Sequence, residues 1–183
     1  VVAIGDSGLF LKTTDAGNTW QSQRIGTKRL LRLDFSNPAT GIISAELPPN
    51  LYWTHDGGIN WKNATLFAYA DSAYPPYDVE SMGGDAFRAI PYQAGPFYYT
   101  YDDFRTVDTS RWLYPFEDFP HVITDFVSSG VDTVLGFGFN LTSWSKGSFR
   151  STLLWTTDGG SSWNVPSFDA TVLTDVQFVS SLR

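Results

Sequence analysis

Three aspartates recur in one frame: Asp15 in Thr13-Thr-Asp-Ala-Gly17-Asn-Thr-Trp20, Asp56 in Thr54-His-Asp-Gly-Gly58-Ile-Asn-Trp61, and Asp158 in Thr156-Thr-Asp-Gly-Gly160-Ser-Ser-Trp163. A carboxylate can act as general acid, base or metal ligand. In a tight turn it has a simpler use, accepting hydrogen bonds from nearby backbone N–H groups. Gly17, Gly58 and Gly160 supply the positive φ such a turn needs, and Trp20, Trp61 and Trp163 offer large rings for burial. The three aspartates therefore read first as structural staples, and the three indoles as core. Other carboxylates stand in adjacent pairs, Asp102-Asp103 and Glu117-Asp118. Two carboxyls flanking one bond would suit glycoside hydrolysis, but neighbours along a strand point to opposite faces, so neither pair can do this alone. Glu46 and Glu80 sit in no recognisable motif. His55 and His121 lack the spacing of a zinc site, and His55 fills a variable turn position. The sequence carries no phosphate loop, nucleophile elbow or dinucleotide fingerprint. No catalytic residue, metal or cofactor is expected.

These residues need strands to hold them. Gly and Pro recur, β-branched and aromatic residues dominate, and apolar spacing is mostly two, so the class is all-β. A weaker fourth copy of the turn, Thr100-Tyr-Asp102-Asp-Phe104-Arg-Thr106-Val107, puts Phe104 where Gly stood and Val107 where Trp stood. Asp15, Asp56, Asp102 and Asp158 are then separated by 41, 46 and 56 residues, the interval of stacked supersecondary units. Around each turn a four-strand unit repeats. The first strands are Leu30–Phe35, Tyr77–Met82, Val122–Val127 and Leu173–Val179. The second strands are Val1–Ile4, Gly41–Ala45, Ala86–Tyr92 and Thr133–Asn140. A third strand precedes each turn and a fourth follows it. Third strands are apolar on both faces, as stacked sheets require. Lys12, Trp53, Tyr99 and Trp155 form a column just before the turn threonine, read as packing between units, with a carbohydrate platform as the alternative.

The turn resembles the Asp-box, or BNR repeat, whose pattern is Ser/Thr-x-Asp-x-Gly-x-Thr-Trp. Asp-boxes occur in β-propellers of sialidases, xyloglucanases, sortilin-type receptors and photosystem II assembly factors. The stretch Gly5 to Trp20 is most similar to the last group. The resemblance implies a β-propeller with about four visible four-stranded blades, either a closed ring or part of a larger propeller. The repeats run roughly 1–29, 30–76, 77–120 and 121–170, with 171–183 starting or closing a blade in a single domain, 1–183. Phe87-Arg88-Ala-Ile-Pro91 resembles the sialidase Phe/Tyr-Arg-Ile-Pro motif, whose arginine clamps the substrate carboxylate. Here an Ala is inserted and the motif sits in the third repeat.

The 183 residues are 42% apolar and 16% aromatic, enough for a folded core. No long apolar run suggests a membrane helix. The opening Val1-Val-Ala-Ile-Gly-Asp reads as strand and turn rather than as a signal peptide, leaving open an earlier leader that was removed. A net charge of −7 argues against a nucleic-acid partner, and the one basic cluster, Arg24, Lys28, Arg29 and Arg32, is short. With no cysteine there is no disulfide. Two sequons, Asn63-Ala-Thr65 and Asn140-Leu-Thr142, mark candidate N-glycosylation sites expected at the surface. Aromatic, Pro-containing connections at 68–77 and 112–120 suit contacts with a protein or glycan as well as they suit covering a blade edge.

The reading is a non-enzymatic interaction or scaffolding module, extracellular or in the secretory pathway and glycosylated. Its partner would be a protein or carbohydrate surface, or further copies joined by strand exchange at the termini. One alternative is a fragment of a sialidase- or xyloglucanase-type glycoside hydrolase. Another is an assembly factor for a membrane protein complex, in a bacterial periplasm or thylakoid lumen.

Overall fold

The computed structural model describes residues 1–46, 50–64, 76–91, 98–109, 121–129, 132–140, 151–166 and 173. They form four antiparallel sheets. Sheet I contains β1 (Val2–Ile4), β2 (Leu9–Lys12) and β3 (Gln21–Arg24). Sheet II contains β4 (Leu30–Phe35), β5 (Gly41–Ala45), β6 (Leu51–Thr54) and β7 (Lys62–Ala64). Sheet III contains β8 (Pro76–Gly83), β9 (Ala86–Pro91), β10 (Tyr98–Thr100) and β11 (Asp108–Thr109). Sheet IV contains β12 (His121–Ser129), β13 (Thr133–Asn140) and β14 (Ser151–Thr156). Each sheet runs in sequence order, as in a meander. Sheets I and IV show three strands instead of four; in sheet IV the beginning of a fourth is the bridge from Trp155 to Asn164. The proposed strand Leu173–Val179 lies outside the described residues save Leu173, as do the aromatic connections save for the backbone of 76 and 77.

The chain divides into two compact units, Val1–Pro91 with Tyr98–Asp108, and Tyr92–Phe97 with Thr109–Arg183. In the first, period-2 patterning sends alternate residues of sheet II to two different cores. Ile43, Ala45 and Tyr52 face sheet I and cluster with Phe10 and Ile25, together with Leu30 of sheet II itself. Ile42, Leu51 and Trp53 face sheet III and meet Val79, Phe87 and Ala89. β5 and β6 are therefore buried throughout, as expected of strands covered on both sides. In the second unit, β14 alternates between buried and partly exposed positions.

Three of the four turns are tied to the hairpins of their own sheets through the main chain. The residue after the turn aspartate donates its N–H to a carbonyl just before the second strand of its sheet: Gly57 to Ala39 (2.8 Å), Asp103 to Asp85 (3.1 Å) and Gly159 to Asp132 (3.0 Å).

The indoles are not equivalent, and the expectation of uniform burial fails at Trp20. Trp61 meets Phe10 and Phe35 edge-on, with centroids 5.3 and 6.3 Å away, and its Nε1 donates to the Gly58 carbonyl at 3.1 Å. Trp163 is also partly buried. Trp20 is 46% exposed. The cause lies in its neighbours: a Cβ on Gly58 would lie 2.8 Å from Phe10, whereas Gly17 has nothing within 4 Å. Sheet I thus covers the turn of sheet II.

Candidate functional site

All four turns share one hydrogen-bond pattern. The threonine hydroxyl donates to the aspartate Oδ1 and accepts from the N–H four residues after it. In the first turn these bonds join Thr13 to Asp15 (2.7 Å) and Gly17 to Thr13 (2.9 Å). The residue four past the aspartate then donates twice, from its backbone and its side chain: Thr19 at 2.9 and 2.6 Å, Asn60 at 2.9 and 2.8 Å, Thr106 at 2.9 and 2.8 Å, and Ser162 at 2.9 and 2.6 Å. The hydrogen bonds stabilise the charged form. Hydrogen bonds led by the Thr19 hydroxyl, the Asn60 N–H and the Ser162 hydroxyl hold Asp15, Asp56 and Asp158 at a pKa of about 2, and the Thr106 N–H likewise lowers Asp102. A carboxylate so committed is a poor general acid at neutral pH.

The third turn departs from the others in two residues. Asp103 and Phe104 adopt φ of 58° and 60°, a left-handed conformation uncommon for residues with a Cβ. Both side chains reach back to sheet II. Phe104 lies 5.0 Å from Trp53 and stacks on Phe87 at 5.7 Å, with 10° between the planes. The column residue Lys12 makes the corresponding reach in the other interface, donating to the Gly57 carbonyl at 2.6 Å. Asp102 and Asp103 diverge because a turn separates them, not the strand alternation expected from sequence.

Asp103 joins a cluster that no sequence spacing announces. Its Oδ1 lies 2.6 Å from His55 Nε2, and its Oδ2 accepts from Lys62 Nζ at 3.2 Å. Asp85 Oδ1, on the β8–β9 turn, lies 3.5 Å from the same imidazole nitrogen. His55 Nδ1 lies 3.4 Å from Thr40 Oγ1. Burial works against the charge on Asp103, but hydrogen bonds from His55 and Lys62 outweigh it, leaving its pKa lowered. The order hydroxyl, imidazole, carboxylate has the outline of a nucleophilic triad, but Thr40 is buried and too distant for proton transfer. The signal available in sequence was His55 standing where the other strong repeats carry threonine.

Arg88, singled out by its resemblance to the sialidase clamp, is fully buried. It pairs with Glu80 at 3.2 Å and lies 5.3 Å above the Tyr99 ring. Burial raises the Glu80 pKa to about 7, against the pull of Arg88 and with help from Asp34 and Asp78. This arginine is an internal group of sheet III with no solvent-facing guanidinium.

One opening is a groove of about 540 Å³ lined by Arg24, Lys28, Tyr52, Ile59, Trp61 and Asn63, among others. A second, of about 390 Å³, shares Gln23 and Ile59 with it and continues past Phe10 and Lys12. Ile59 is 71% exposed, an apolar residue unusually placed for a turn. Arg24 donates to the Asp6 and Ser7 carbonyls, which keeps its charge at the rim. Of the two sequon asparagines, Asn63 is exposed on β7. Asn140 ends β13 opposite His121; its side chain lies outside the described residues.

No family model and no curated protein matches this chain. Among solved structures it is similar to YCF48 from Cyanidioschyzon merolae, at 18% identity and a TM-score of 0.66, covering 93% of this chain and 52% of that one. It is similar to YCF48 bound to a D1 peptide, at 14% identity and 0.51, covering 90% and 77%. A GH74 enzyme of Niastella koreensis gives 14% and 0.54, covering 90% and 28%. The chain thus corresponds to only part of these proteins, about half of the C. merolae YCF48 chain. At such identities the likeness speaks for architecture: the fold is all-β and propeller-like.

Proposed function

We propose that this chain is a non-enzymatic Asp-box β-propeller module, a single domain over 1–183, that binds a partner protein. The observation that carries this reading is the groove of sheets I and II. It combines an exposed Ile59 and the Trp61 ring with Arg24 and Lys28 at its rim, on a chain whose net charge is −7. Apolar anchors ringed by polar and basic groups suit an extended, acidic peptide segment. The repeated aspartates support the non-enzymatic reading, since hydrogen bonds within their own turns occupy them.

Two further readings each have an observation in their favour. Similarity to YCF48, including the form bound to a D1 peptide, favours an assembly factor for a membrane protein complex, placed in a periplasm or thylakoid lumen. Similarity to a GH74 enzyme favours a glycoside hydrolase fragment. Among the described residues no helix is long and apolar enough to cross a membrane. An extracellular, glycosylated protein is supported by the exposure of Asn63, a carbohydrate partner by the exposed Trp20 ring, and strand exchange between copies by the edge position of β1.

Selection from a displayed peptide library tests the main reading. Enrichment of acidic peptides with an apolar anchor, lost in I59D and K28E, is expected. Peptides that bind both variants as well as wild type would move the site elsewhere. Turnover of a sialoside or xyloglucan would establish the enzyme reading instead.

A further inference from the structure

We propose that His55, Asp85 and Asp103 form a binding site for a divalent transition cation, with Zn²⁺ as the representative ion. The three residues come from separate turns of one compact unit, yet their ligand atoms all lie within 4.8 Å of one another. One imidazole nitrogen with two carboxylate oxygens is a borderline donor set, which suits zinc better than the all-oxygen cages favoured by calcium or magnesium.

The surrounding groups fit ligand roles. Metal-binding imidazoles have their second nitrogen engaged, and ligating carboxylates are themselves hydrogen-bonded. Here Thr40 Oγ1 lies beside His55 Nδ1, and Lys62 holds Asp103 Oδ2, leaving Oδ1 turned towards the imidazole. Asp103 also donates its backbone N–H to the Asp85 carbonyl, so the two carboxylate-bearing turns are fixed relative to each other. Binding needs a lone pair on Nε2. The ring proton then sits on Nδ1, facing Thr40 Oγ1, and the cation takes the place of the bond between His55 and Asp103. The ammonium of Lys62 opposes a second positive charge nearby, which keeps the site weak and reversible.

The chain has only two histidines, so imidazole NMR reads the site directly. Zn²⁺ is titrated into the intact, chelator-treated chain while the ring nitrogens are followed, and H55Q assigns the signals. Saturable binding of one equivalent is expected, with the His55 Nε2 resonance shifting and that of His121 unchanged. D85N and D103N should each weaken binding tenfold or more, and Ca²⁺ at equal concentration should leave the ring unmoved. Circular dichroism checks that the variants keep the wild-type fold; His55 and Asp85 are exposed enough to tolerate substitution. The proposal is overturned by an unmoved His55 at millimolar Zn²⁺, by equal affinity in D85N and D103N, or by a stronger response to Ca²⁺. A change in stability on mutating His55 without zinc binding to wild type would likewise reduce the cluster to a hydrogen-bonded link between turns.

Discussion

Replacing Phe104 with glycine should destabilise the protein less than replacing it with alanine, the reverse of the usual order. Phe104 holds φ at 60°, which costs an L-residue roughly 1–2 kcal/mol, and its ring lies between Trp53 and Phe87. Truncating a core phenylalanine costs about 3–5 kcal/mol, and the low end applies because Phe104 is partly exposed. Alanine loses the ring but keeps the strained backbone, for a net cost of about 3 kcal/mol. Glycine loses the same ring and sheds roughly 1 kcal/mol of strain, so its cost is about 2 kcal/mol. Wild type remains the most stable of the three because ring packing exceeds strain. Urea unfolding separates the variants: with a slope of about 2 kcal/mol/M, 1 kcal/mol moves the midpoint by about 0.5 M. A midpoint for F104G at or below that of F104A would refute the argument that stacking, not backbone preference, holds this residue in the turn.

The indoles should grade by their neighbours. W61A loses two edge-to-face contacts and a hydrogen bond and should cost about 3 kcal/mol, whereas W20A, already half in water, should cost about 1 kcal/mol in the same urea assay; equal costs would contradict the asymmetry. Glu80 should make stability fall as pH rises. Its folded pKa of about 7 lies above the ordinary 4.5, so its contribution is fully present below pH 4.5 and lost as pH climbs through 7. E80Q should flatten that slope across pH 4.5–7.5, and parallel wild-type and variant curves would assign the slope to other groups.

The strands were legible because their signal is local. β4, β5 and β13 fall on the predicted segments, since alternation of apolar side chains sets each strand's limits and faces. The third turn, weak as a motif, forms the same hydrogen bonds as the others because Thr100, Asp102 and Thr106 carry the pattern. The exposure of Trp20 was not legible, because it depends on a neighbouring sheet rather than on the turn's own residues. The cluster at His55 was hidden for a related reason. Its members are 30 and 18 residues apart, from His55 to Asp85 and on to Asp103, and only the stacking of two sheets brings them together.

In three of the four turns, the main-chain bond from the residue after the aspartate to the hairpin of its own sheet asks nothing of a side chain. The position is Ala16, Gly57, Asp103 and Gly159 in the four copies, each with its φ in the left-handed region. A side chain there comes at the cost of that left-handed backbone, as at Ala16 and Asp103, and the space beside it decides the rest: a Cβ at Gly57 would lie 2.8 Å from the Pro38 carbonyl oxygen. At Asp103 the neighbours His55 and Lys62 belong to the adjoining sheet. A duplicated module can thus acquire chemistry one copy at a time, while the hydroxyl–carboxylate staples that define the repeat stay as they are.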